Sequence, residues 1–155
     1  MLTAHLPAGY VLVRGLRAPG RNAMIAALLG SVLPDFDLLF FYFVDDRAVH
    51  HHRYWVHIPA FWATIAALTL PLIWRSAWRL PALIFFAAIF LHLVLDSLAG
   101  SIMWLAPFDD RLFALVTVPA THDHWIISFI LHWTFLAELT IWALAAILFL
   151  RRPVQ

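Results

Sequence analysis

Apolar positions in this chain come in long runs broken by short polar stretches. Four of these, residues 22–44, 54–74, 80–105 and 125–150, reach the ~20 residues a helix needs to cross a bilayer. The pattern predicts an all-α, polytopic transmembrane helical bundle of four long helices. Residues 3–16, apolar as far as Arg14, add an N-terminal half-length helix. The first long run is interrupted by Leu33-Pro34-Asp35-Phe36-Asp37, where proline disfavours a continuous helix. Arg17-Ala18-Pro19-Gly20-Arg21 is turn chemistry. No repeat or linker divides the chain, so residues 1–155 read as one membrane-embedded domain.

Composition supports this reading. The chain is 64% hydrophobic and only 12% charged, against about a quarter charged in soluble domains. Thirteen Phe and eight Trp exceed what one soluble core of this size would bury. A formal charge of +1 and the lack of any basic tract exclude nucleic acid as a partner. Without cysteine there are neither disulfides nor thiolate metal sites. The first apolar stretch has no early basic region and no small-residue cleavage site, so it is not expected to be a removable signal peptide. If four spans alternate, Arg14, Arg17, Arg21, Arg75, Arg79, Arg151 and Arg152 share one side, and Arg47, Arg53 and Arg111 the other. That asymmetry predicts a cytoplasmic C-terminus, with the loops at 45–53 and 106–124 outside.

Against this background the ionisable residues inside apolar runs stand out, because charge is costly in a membrane and marks function by default. Asp35 and Asp37 sit in the first long run, and His92 and Asp96 in the third. His52 and His57 flank the start of the second, and His5 lies in the half-length helix. At 1.5 Å per residue, these residues and His132 fall roughly 5–20 Å below the outer end of their segments, His5 among them if residues 3–16 run inward. Several segments thus send metal-ligand side chains to one stratum. His50 and His51 read as spectators in a solvated loop. Whether His122, His124, His132 and Glu138 join the site stays open at this point.

Spacing adds chemistry. His92 and Asp96, four apart on a helix, project from one face and can grip one ion, the logic of paired histidines on zinc helices. Asp35 and Asp37 are about 200° apart on an ideal helix. Either the proline break brings both to metal, or one ligates while the other orients a histidine. A His/Asp set without Cys suits one or two zinc ions, with manganese or iron as alternatives. Seven candidates (His5, Asp35, Asp37, His52, His57, His92 and Asp96) exceed the needs of one ion. In a dinuclear centre the metals polarise a phosphoryl oxygen and generate hydroxide.

His5, Leu33-Pro34-Asp35-Phe36-Asp37, His52-Arg53-x-x-x-His57 and Leu91-His92-x-x-x-Asp96-Ser97 occur in the order seen in the YdjM-like family, which this chain resembles. That family comprises LexA-regulated inner-membrane proteins described as predicted metal-dependent hydrolases. One departure is clear: Tyr54, Trp55, Val56 and Ile58 stand where the family carries small and hydroxyl residues around the histidine. The family is also distantly similar to the zinc-dependent phospholipases C, which implies a phosphoester substrate.

The expected function is therefore metal-dependent hydrolysis of a phospholipid or lipid-linked phosphate at the outer leaflet. Arg53 would bind the phosphate through its planar fork, and Asp37 would serve as base or orienting group. Two alternatives belong to other classes. A haem-binding electron-transfer protein could use His92 and His132 as axial ligands, but leaves Asp35, Asp37 and Asp96 unexplained. An ion or proton transporter would account for intramembrane carboxylates, yet the inner half offers few polar stepping stones. Substrate, metal and oligomeric state are not written in the sequence.

Overall fold

The computed structural model describes residues 3–151. Among them are seven α-helices: α1 (His5–Gly15), α2 (Arg21–Val32), α3 (Asp37–Phe43), α4 (Pro59–Ile73), α5 (Arg79–Ala99), α6 (Trp125–Ile130) and α7 (Phe135–Leu150). The described residues form no strand, only an isolated antiparallel bridge between Ile102 and Phe113.

The all-helical expectation holds; the bundle of four long spans does not. Among the described residues, only α5, with 21 residues, is long and apolar enough to cross a membrane by itself. The run 22–44 qualifies only if α2 and the segment Pro34–Phe43 are taken as one span bent by 48°. Two further helices, α4 and α7, are apolar but shorter.

Local chemistry explains each shortfall. Pro34 ends α2 because proline excludes a continuous helical hydrogen bond at that point. The stretch 54–74 starts its helix only at Pro59, since the residue before proline is driven out of the helical region; Ile58 is extended, with ψ 115°. The stretch 80–105 stops at Ala99, where Gly100 turns extended and its N–H closes on the Asp96 carbonyl at 2.7 Å. The stretch 125–150 breaks between α6 and α7, where the His132 ring bonds the Thr134 hydroxyl locally at 2.9 Å, an alternative to helix continuation that such side chains offer.

Small residues bring the central helices together. A Cβ on Gly9 would meet Ser31 Oγ at 2.6 Å, and one on Gly30 would run into the Phe85 carbonyl. Close backbone approach of this kind is how helices associate where lipid removes the hydrophobic drive between them. The contacts also fix direction. Gly9 lies against Ala27 and Ser31, and Val13 packs with Ala23, so α1 runs antiparallel to α2. Ala27 packs with Ile84, and Ser31 meets His92, so α2 runs parallel to α5. Thr3 meets Glu138, and Tyr10 meets Phe149, so α7 runs alongside α1 in the same direction. A second core of Trp62, Phe86, Ile89, Leu93 and Ile102 ties α4 to α5.

This arrangement gives the molecule two unlike ends. Arg14, Arg17, Arg21, Arg75, Arg79 and Arg151 sit at helix ends or turns on one of them; Arg152 lies outside the described residues. The other end collects the start of α1, the Pro34 break, the loop 50–58 and the last turns of α5. The expected grouping of arginines therefore appears as a polarity of the fold, although the four alternating spans behind it are absent.

Candidate metal centre

Three helices and one loop build the centre. Asp96 and His92 lie one turn apart on α5 and are both buried. His5 opens α1, positioned by Thr3, whose backbone N–H and hydroxyl donate to the buried Glu138 carboxylate of α7. Asp35 lies in the 3-10 turn Pro34–Phe36, and Asp37 opens α3. The loop contributes two further 3-10 turns, His51–Arg53 and Trp55–His57, joined by an extended Tyr54.

Asp96 is the hub. Its Oδ1 is 3.1 Å from His5 Nε2. Its Oδ2 is 3.0 Å from His92 Nε2 and 3.6 Å from Nε2 of both His52 and His57. Asp35 Oδ1 approaches His92 Nε2 at 3.7 Å. The rings of His5 and His92 stack with centroids 3.8 Å apart. Two sets of side chains have ligand atoms close enough to share an ion: His5, Asp35, His92 and Asp96, and separately His51, His52 and His57.

The far side of each ring sets its tautomer. His92 Nδ1 donates to the Ser31 carbonyl at 2.8 Å, and His52 Nδ1 to the Ser101 carbonyl at 2.8 Å. His57 Nδ1 bonds Asp37 Oδ2 at 2.7 Å. Anchored in this way, a neutral imidazole presents a bare Nε2 to the centre, the arrangement that metal-bound histidines require. Nε2 of His5, His57 and His92 is buried without a hydrogen-bond partner, and leaving such an atom unmade costs about 1–3 kcal/mol. The donor set therefore fits a divalent transition ion.

Electrostatics treat the two loop rings differently. Burial lowers the His52 ring to about 2, so it stays neutral and ready to coordinate. Burial also opposes charge on His57, but the carboxylates of Asp37, 2.7 Å from Nδ1, and Asp96, 3.6 Å from Nε2, outweigh it and raise that ring to about 9.

The structure brings His5, Asp35, His52, His57, His92 and Asp96 together. Asp37 stands behind His57, and its geometry is that of an orienting group. Arg53 is exposed on the same turn as His52, at the edge of the centre. His51 is the residue that sequence reasoning passed over: its Nδ1 is buried, 3.8 Å from Asp37 Oδ1. Helical periodicity gave no signal for it, since a 3-10 turn rather than a helix aims it inward. His122, His124, His132 and Glu138 fall outside both ligand sets. His122 meets Thr121, His124 caps α6, His132 bonds Thr134, and Glu138 holds Thr3. The haem alternative loses its pairing of His92 with His132, since His92 faces Asp96 and His132 is engaged elsewhere.

A family model described as YdjM inner membrane protein matches residues 1–152. No curated protein and no solved structure matches the chain.

Proposed function

The chain belongs to the YdjM inner membrane protein family, and on that premise we propose that it is a metal-dependent hydrolase acting on a phosphoester of a phospholipid or lipid-linked phosphate. The observation that carries this reading is the set of buried imidazole nitrogens turned towards Asp96, with the His92, His52 and His57 rings fixed from behind by a carbonyl or carboxylate. His5, Asp35, His92 and Asp96 would hold a zinc ion, or manganese or iron in its place, with His52 and His57 completing the centre. Such an ion supplies the positive charge that activates water and polarises a phosphoryl oxygen.

The chain's own residues do the rest. Arg53, exposed beside His52, holds the phosphate by its planar fork. Asp37 accepts the His57 Nδ1 proton and keeps Nε2 directed inward. In the hydrolysis, the oxygen of a deprotonated water bonds to phosphorus. The phosphorus–oxygen bond to the lipid alcohol breaks, and that alcohol leaves with the proton the water gave up. The arginine-rich end faces the cytoplasm by the positive-inside rule, which places the centre towards the outer face and α7's C-terminal end inside. Lipid substrates suit a protein whose outward surface carries large apolar side chains such as Leu68, Leu72, Phe43 and Leu150.

The test is hydrolysis of a panel of phospholipids and lipid-linked phosphates by detergent-purified protein. Chelator-sensitive cleavage is expected. Arg53→Lys keeps the charge but loses the fork, so it should lower activity while bound metal stays constant. A metal-loaded protein that cleaves no phosphate ester would overturn the reading and favour ion transport. A reporter fused after Arg151 should read cytoplasmic; the opposite result would move the centre to the inner face.

A further inference from the structure

We propose that the loop histidines form a second cation subsite, with His51 as a ligand and Asp96 shared with the first. This deepens the metal-centre reading and rests on it. Four imidazoles from both sets converge on one carboxylate: His5, His92, His52 and His57 all lie within 3.6 Å of Asp96 oxygens. One ion takes four to six ligands, and the seven side chains of the two sets exceed that. The two sets are also separate in their grouping, since His51, His52 and His57 lie mutually close without His5, Asp35 or His92.

Two observations beyond the cluster point to a cation at the loop subsite. His57 Nε2 is fully buried with no hydrogen-bond partner. His51 Nδ1 is likewise buried and unpartnered, too far from Asp37 Oδ1 at 3.8 Å for a hydrogen bond. Asp37 stands behind this subsite as it would behind a bound dication, with one oxygen on His57 and the other towards His51.

The two subsites differ in what holds them. His5, His92 and Asp96 stand on helices, whereas His51, His52 and His57 stand on two short 3-10 turns of a loop. The loop ion is therefore the weaker and faster to exchange. It is also the ion beside Arg53, where the anionic oxygens of a phosphate would arrive.

The test is zinc stoichiometry and affinity in the full-length protein in detergent, by elemental analysis and calorimetric titration with Zn²⁺. Wild type should bind two ions, and a graded chelator should strip one before the other. His51→Ala should weaken the exchangeable ion by roughly tenfold or more, on the scale seen when groups around a metal are removed, and leave the tight ion in place. His51→Gln, closer in size, should do the same with an unchanged melting profile, which separates ligand loss from misfolding. Two tight ions retained in both variants, or a single ion in wild type, would overturn the second subsite while leaving the metal-centre reading intact. Failure of wild type to bind any zinc would overturn both.

Discussion

The two halves of the centre are built from opposite materials. One half, His5, His92 and Asp96, stands on helices whose small residues lock their backbones together. The other, His51, His52 and His57, stands on two 3-10 turns between α3 and α4, tied down by single bonds such as His52 Nδ1 to the Ser101 carbonyl. The same residue type serves both, but the helical half inherits its geometry from packing and the loop half from individual hydrogen bonds. Perturbing packing should therefore damage one half, and perturbing a single contact the other.

The largest effect is expected from the helical half. His92→Ala combined with Asp96→Ala removes the hub and its neighbour one turn away. The purified double variant should lose most of its bound metal and still insert and express. Unchanged metal content would show that these residues do not anchor the centre.

Next in size is the packing beneath that half. Gly30→Ala forces a methyl group against the Phe85 backbone and Ala88, and overpacking of this kind costs ~1–3 kcal/mol. Gly15→Ala meets nothing within 4 Å and should be neutral or gain ~0.4–1 kcal/mol. Thermal unfolding in detergent distinguishes them. Equal melting points would mean that the close approach of α2 and α5 is not what holds the helical half.

The smallest effect sharpens the contrast. An added Cβ at Gly100 would meet His52 Cε1 at 2.9 Å and the Asp96 carbonyl at 2.8 Å. Gly100→Ala should displace the His52 ring and weaken metal affinity through the loop half, with a smaller loss of stability than Gly30→Ala. A stability loss as large as that of Gly30→Ala, with full metal affinity, would erase the distinction between the halves.

The same division governs what the sequence could reveal. His92 and Asp96 were legible because helical spacing places i and i+4 on one face. His5 and Asp35 were legible as ligand types inside apolar runs. His51 was not, because its direction depends on a 3-10 turn and an extended Tyr54 that no periodicity announces. The Ser31 and Ser101 carbonyls that set the tautomers belong to the backbone, so side-chain identity carries no trace of them. Apolar run length overstated the spans for a related reason. Hydropathy reads straight through Ile58-Pro59, Gly100 and His132-Trp133-Thr134, where the backbone turns aside.

On the function proposed above, this membrane protein is organised around a bound metal. Elemental analysis of wild-type protein purified without chelators tests it most directly, before and after reconstitution with zinc, manganese and iron. The account predicts at least one transition-metal ion per chain, retained through gel filtration. A folded protein that carries no metal and takes up none of the three on reconstitution would contradict it.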